Sequence, residues 1–357
     1  MPIFNFSAGP AMLPSSVLSQ IERDLKGWHK GISIMELSHR IPEVMAMAAQ
    51  ARDNIRDLLK IPSNFKILFM QGGARTQFSG IPLNLLGQNI PNAQANYLIT
   101  GHWSSQASLE AQRYGKINTI TDSNAVFDAQ DAAYIHFTDN ETIDGIELPA
   151  FPICHSDLKA SIPFVVDATS SILSKAIDFK NVGLVYAATQ KNIGIAGLTL
   201  VILRDDLIGK AHPLTPKMLD YSEMDRADSM INTPPVFCWY VMSLVLQWVQ
   251  SHGGVSAMEQ RALEKSKLLY NTIDNSHLYS NTIDTTVRSR LNIPFRLPTL
   301  ELENHFLNEA NKQGLYYLKG HKVLGGIRAS VYNAMPLEGV SALVEFMKQF
   351  ELEHAQF

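Results

Sequence analysis

Cysteine is nearly absent. Only Cys154 and Cys238 occur in 357 residues, far apart along the chain, so neither a disulfide framework nor a zinc site is expected. An excess of positive charge is missing too. Thirty Lys and Arg stand against 34 Asp and Glu, a formal net charge of −4, and no basic stripe marks a nucleic-acid surface. Nor is there a long apolar run: VFCWYVMSLVLQWV, from Val236 to Val249, is shorter than a bilayer span and is interrupted by Ser243 and Gln247. It reads as a buried helix. The opening MPIFNFSAGPAMLP lacks the basic-then-apolar order of a secretion signal. These absences predict a cytoplasmic chain with no membrane or nucleic-acid partner and no metal centre. No repeat or low-complexity tract appears either.

What is present is the makings of a large core. Hydrophobic residues make up 46% and charged residues 18%, which argues for order rather than disorder. Short β-rich runs recur: KILFM (Lys66 to Met70), NYLIT (Asn96 to Thr100), AAYIHF (Ala132 to Phe137), IPFVVDA (Ile162 to Ala168), GLVYAA (Gly183 to Ala188) and LTLVIL (Leu198 to Leu203). Stretches of helical spacing, such as SSQASLEAQRYG, separate several of them. That alternation predicts an α/β fold with a mostly parallel sheet covered on both faces. Beyond about Met258 the texture changes. Amphipathic helices over Ser256 to Thr272, Leu300 to Gln313 and Gly339 to Glu353 frame the strand candidates RSRLNIPFRL and GGIRASVY. The division read here is a large domain over residues 16–258 and a smaller α+β domain made of 1–15 and 259–357. Met35, Met45, Met47 and Met70 read as core filler, and Lys60, Lys180 and Lys210 as surface.

Ligands of such sheets sit beyond the carboxyl ends of the strands, so the residues following each strand are the candidate site. KILFM is followed by QGGARTQF, two glycines and then a helix start at Ala74-Arg75. Free backbone N–H groups and the helix dipole make this an anion cradle, or simply a glycine turn. After NYLIT comes Trp103, and after AAYIHF a polar loop with Thr142. Asp167 ends an otherwise apolar strand, and a buried carboxylate needs a partner there. Lys191 follows GLVYAA, where a lysine either snorkels to water or keeps its amine for chemistry. Cradle, aromatic plate, acid and amine at one sheet edge are the parts that hold pyridoxal phosphate.

The motifs FNFSAGPAMLP, MELSHR, GGARTQF, GHW, NETIDG, the Asp167 strand, ATQKNIGIAGLT, NTPP, KGHKVLGGIRAS and YNAMPLEGV carry a resemblance over essentially the whole chain. It resembles the phosphoserine aminotransferase family of class V, fold-type I pyridoxal-phosphate enzymes. The resemblance implies a seven-stranded sheet and pyridoxal 5'-phosphate as cofactor. It also implies transfer of the glutamate amino group to 3-phosphooxypyruvate, giving phosphoserine and 2-oxoglutarate, with 4-phosphohydroxy-L-threonine of pyridoxine biosynthesis as a related substrate. It makes Lys191 the Schiff-base lysine and proton carrier, Asp167 the partner of the ring nitrogen, Trp103 the stacking plate and Thr142 the partner of the ring hydroxyl. Ala74, Arg75 and Gln190 would hold the cofactor phosphate. Asn232 and Thr233 would complete a neighbouring subunit's site in a homodimer. Arg328 would clamp the substrate carboxylate, and Arg40, His321 and Lys322 its distal anion. The sequence departs from the family at Ala8, where some members carry serine, in GGAR where some have GGGR, and at Lys322, where many carry arginine. Asp167-Ala-Thr-Ser also differs from the usual pattern, so Thr169 and Ser170 receive no role. His102 is read as structural, and Arg40 and His39 could instead form a solvated helix face. Two alternatives stand beside this reading: another class V transaminase of alanine–glyoxylate type, and a non-catalytic pyridoxal-phosphate-binding protein.

Overall fold

The apolar runs become the strands of one seven-stranded sheet in the computed structural model, which describes residues 2–121, 132–151 and 162–354. Cys154 lies outside the described residues. The strand order is Phe65–Gln71, Leu198–Arg204, Val182–Ala188, Phe164–Asp167, Ala132–Thr138, Gln94–Leu98, Lys116–Ile120. Leu198–Arg204 runs antiparallel to both its neighbours, and all other pairs are parallel. Strands covered on both faces need no polar alternation, and every residue of Val182–Ala188 is buried. The seventh strand, KINTI, is not among the sequence-based strands. It lies at the sheet edge with most of its side chains toward water, so it lacks the apolar run that marks the others.

The run Val236 to Val249 forms the helix Val236–Ser251, which buries Trp239, Tyr240, Val241, Met242, Val245, Leu246 and Val249. The helix Pro42–Leu59 packs on it. No helix among the described residues is long and apolar enough to cross a membrane. A separate core gathers Phe4 and Phe6 with Leu269, Phe295, Phe306, Ile327, Leu343 and Phe346. It is built on the antiparallel pair Asn292–Phe295 with Ile327–Ser330 and on Phe4–Asn5 beside Leu315–Tyr316. The helix Gly254–Asp274 serves both cores: Val255 and Met258 enter the sheet core, and Leu269 and Ile273 the other.

Two surface expectations need correction. Met70 is buried and Met47 packs at the core margin, but Met35 and Met45 are 64% and 48% exposed. Ile34 and Val44 fill the inward positions of their segments, which turns these two methionines outward. Arg40 and His39 lie in the turn before the helix Pro42–Leu59 rather than on a helix face, with His39 buried and Arg40 exposed. Lys60, Lys180 and Lys210 are exposed.

Candidate active site

A pocket of about 580 Å³ opens where the parallel strands end. It is lined by Ala74, Arg75, Trp103, Thr142, Asp167, Gln190, Lys191, His321 and Arg328, with Ala8, Gly9, Gly73, Thr138 and Asn140 among the others. Each side chain arrives for a local reason. The strand Phe65–Gln71 runs into Gly72, whose φ of +98° suits glycine and whose place leaves no room for a Cβ, 2.6 Å from the Thr76 hydroxyl. The chain then enters the helix Ala74–Leu85. Gly73 caps it without a side chain, so no side-chain acceptor takes up its first N–H groups. A Cβ on Gly73 would meet open space. This is the geometry of an anion cradle. The Arg75 guanidinium lies 5.4 Å over the Trp103 ring and ties the cradle to the plate.

Trp103 is fixed by its helix start. Asp144 accepts the His102 N–H at 2.8 Å, and Glu141 accepts those of Trp103 and Ser104 at 2.9 and 2.8 Å. Two carboxylates thus cap one helix N-terminus, and Gly101 is hemmed in by both, since a Cβ there would stand 2.5 Å from Asp144. Burial pushes Glu141 up to about 7.

Lys191 donates to the Thr142 hydroxyl at 2.5 Å, and Arg328 donates to the Thr142 carbonyl at 3.3 Å. Burial lowers the Lys191 amine to about 8; Asp167 opposes that shift and Arg328 adds to it. A lysine so placed is partly neutral near pH 8, the form that can act as a nucleophile or base. Gly9, at φ +139°, would place a Cβ 3.4 Å from Lys191 Cγ, so the N-terminal loop closes tightly over this side chain. Asp167 is 4% exposed. Burial raises its carboxyl, countered by hydrogen bonds from the Thr169 hydroxyl and N–H, by Lys191 and by the Tyr186 hydroxyl.

Of the thirteen residues expected from the sequence, nine line this pocket, and Arg40, Lys322, Asn232 and Thr233 do not. Asn232 and Thr233 are exposed, held to Gln71 by hydrogen bonds to the Asn232 side chain and the Thr233 carbonyl. Lys322 is exposed in the turn after His321, and Arg40 sits in a turn whose neighbours Ile34 and Val44 pack toward the helix Val236–Ser251. Arg40 and Lys322, expected to meet a substrate's distal anion together with His321, therefore lie outside the pocket that one chain lines. His102, read as structural, has its ring 5.7 Å from that of His321.

Sequence reasoning missed Thr169, whose N–H meets Asp167 at 2.9 Å; an aspartate side chain that accepts the backbone N–H two residues on makes an Asx turn. It also missed Asn140. This side chain bonds Ser170 and Asn292 at 2.8 Å each and accepts from Ser289 at 2.6 Å, joining the pocket floor to the second core. No sequence signal points to that link.

The residues present fit pyridoxal 5'-phosphate: a cradle of free helix N–H groups for its phosphate, a buried carboxylate for its ring nitrogen and an amine for its aldehyde. Trp103 Nε1 and Thr138 Oγ1 are buried without hydrogen-bond partners beside the space it would fill. The class-V aminotransferase family model matches residues 3–343. A phosphoserine aminotransferase of Laribacter hongkongensis (strain HLHK9) is 47% identical over 99% of this chain and 100% of its own length. The solved phosphoserine aminotransferase of Bacillus circulans subsp. alkalophilus superposes with a TM-score of 0.92 at 40% identity, covering 99% of both chains. A pyridoxal-phosphate-bound phosphoserine aminotransferase of Trichomonas vaginalis gives 0.91 at 37% identity over 97% of this chain and 100% of that one. With this pocket and these relatives, the chain belongs to the class-V aminotransferases that work with pyridoxal 5'-phosphate, and within them to the phosphoserine aminotransferase family.

Proposed function

We propose that the chain transfers the amino group of glutamate to 3-phosphooxypyruvate, making phosphoserine and 2-oxoglutarate. The observation that carries this reading is the pairing, in one pocket, of a guanidinium beside the reactive amine (Arg328 with Lys191) and a separate imidazole, His321. An α-carboxylate at Arg328 leaves the distal anion to His321, the helix N-terminus of Trp103 and a cation supplied by Lys322 or Arg40. Arg40, Asn232 and Thr233 lie outside this chain's pocket lining, and the reading assigns them to the pocket of a second copy, in a homodimer with shared sites. The same groups suit the four-carbon analogue 4-phosphohydroxy-L-threonine.

Bound in the pocket, the cofactor supplies an aldehyde and a ring that takes up negative charge from the substrate carbon. This chain's residues do the rest. Lys191, with its amine lowered to about 8, would accept the proton leaving the substrate Cα and hold it for return. Asp167, which accepts the Thr169 N–H, would pair with the ring nitrogen and favour its protonated form. Trp103 would stack on the ring, and Thr142, which accepts from Lys191, would bond the ring hydroxyl. Arg328 fixes the substrate carboxylate with charge-assisted bonds.

Steady-state kinetics with phosphoserine, glutamate and alanine test the reading. His321→Ala is expected to raise KM for phosphoserine roughly tenfold, the scale of one charge-assisted hydrogen bond, and to leave alanine unchanged. Arg328→Ala should weaken every amino acid alike. Equal effects of His321→Ala on phosphoserine and alanine would contradict distal-anion recognition at His321. A loaded wild-type chain whose absorption spectrum does not respond to glutamate would contradict transamination itself.

A further inference from the structure

Next to Asp167, outside the pocket lining, lies a buried polar chain that the mechanism above does not use. Asp167 and Tyr186 are register partners on adjacent parallel strands, so their side chains share a sheet face. Thr138 is the partner of Asp167 on the other side, and His136, two residues earlier, shares that face. The Tyr186 hydroxyl therefore faces the Asp167 carboxylate, near enough to stabilise its charged form by hydrogen bonding, and His136 Nε2 lies 2.9 Å from the same hydroxyl. His136 is 1% exposed and Tyr186 0%. The other imidazole nitrogen, His136 Nδ1, is buried without a partner.

These contacts favour one arrangement of the protons. A tyrosine hydroxyl has one hydrogen. If it points to Asp167, its oxygen accepts from His136 Nε2–H, and the bare lone pair falls on Nδ1, the atom that has no partner. The opposite tautomer would bury an unpaired N–H at Nδ1 and draw the tyrosine hydrogen away from the carboxylate, two losses at once. Burial lowers the imidazole to about 3, so it stays neutral. Tyr97 stacks on the ring at 4.5 Å and holds its plane.

We infer that Tyr186 and His136 are positioning residues for the cofactor's ring nitrogen: two neutral donors in series, His136 Nε2–H to Tyr186 and Tyr186 O–H to Asp167, keep that carboxylate ionised and aimed into the pocket. The chain solves a particular problem. A carboxylate this deep is pushed toward its neutral form, which could not pair with a protonated ring nitrogen. A second cation behind it would compete with the ring for the same charge. Neutral donors stabilise the anion without competing. The inference rests on the pocket's reading as a pyridoxal-phosphate site with Asp167 beneath the ring nitrogen.

The test is cofactor affinity, measured on the full-length apo chain with pyridoxal 5'-phosphate and with an analogue carrying CH in place of the ring nitrogen. Tyr186→Phe removes one hydroxyl and keeps the ring. It is expected to weaken the native cofactor roughly tenfold, as for one hydrogen bond to a charged group, and to leave the analogue unchanged. His136→Leu should behave like Tyr186→Phe. His136→Gln, which can still donate, should stay near wild type, and this pair gives a second reading if Tyr186→Phe does not fold. An equal loss for cofactor and analogue, or no loss for either, overturns the inference. Because affinity is read without turnover, a wild-type chain that binds cofactor but transfers no amino group would overturn the transaminase reading alone.

Discussion

Lys191 and Asp167 show how burial can create reactivity. The lysine amine is held to about 8 rather than its usual 10.5 because protein encloses it. The sign for stability follows from the protons. Between about 8 and 10.5 the unfolded chain holds a proton that the folded chain has released, so this group makes the fold more stable as pH rises through that window. For chemistry the neutral fraction matters. Capture of pyridoxal 5'-phosphate by the apo chain should accelerate with pH and level off just above 8, whereas an ordinary lysine would keep accelerating toward 10.5. Absorbance-monitored stopped flow would show which plateau occurs. Lys191→Ala should remove the visible band and turnover while the chain stays folded. Asp167→Asn keeps the shape and removes the charge, and kcat should fall on the order of a hundredfold, the scale of one preorganised charge contact. Unchanged kcat would make Asp167 purely structural.

One helix end illustrates what a sequence can and cannot disclose at the next scale. The helix His102–Ala111 is pinned by Glu141 and Asp144, which together take the N–H groups of its first three residues. Glu141 is the chain neighbour of Thr142, so its bonds to the helix start tie Trp103 to Thr142. Raised by burial to about 7 from its usual 4.5, Glu141 keeps a proton in the folded chain that the unfolded chain loses. Its contribution to stability therefore falls as pH rises from about 4.5 to 7, by up to about 3 kcal/mol. Urea unfolding of apo wild type and Glu141→Gln at pH 5 and pH 8 should show that the wild type loses stability relative to the variant; parallel profiles would remove the argument. Strand ends were legible because apolar runs announce parallel strands and the fold places ligands at their carboxyl ends. Asp167, Trp103 and Lys191 followed from that alone. The carboxylate clamp was not legible, since nothing in NETIDG says that Glu141 meets a helix start some 38 residues away in sequence. The half-exposed edge strand Lys116–Ile120 was invisible for want of an apolar pattern, and the outward turn of Met35 and Met45 depended on which neighbours filled the core.

Across the whole molecule the pocket depends on the two cores holding still against each other. Lys175 bridges Asp139 and Glu147 at 2.9 and 3.0 Å, and Arg290 joins Glu147 and Glu259 at 2.6 and 3.2 Å. Glu147 is 5% exposed, so the loss of either cation would leave a buried charge uncompensated. With Asn140 bonding across to Asn292 and Ser289, this fixes Arg328 and His321, which follow from the second core, relative to Lys191. What one chain does not provide is equally informative. Asn232, Thr233 and Arg40 are exposed outside the pocket lining, and a homodimer with shared sites gives them a task. That proposal can be tested without a structure of the assembly. Lys191→Ala chains should be inactive, and Thr233→Ala chains impaired through weaker hold on the cofactor phosphate. In a mixed dimer one site would take Lys191 from the Thr233→Ala chain and Thr233 from the Lys191→Ala chain, and would be wild type at both positions. The other site would carry both defects. Mixed dimers isolated with two affinity tags should therefore recover about half the wild-type activity per dimer. If each site drew all its residues from one chain, no site in the mixed dimer would have both, and activity would not exceed that of the Thr233→Ala site alone.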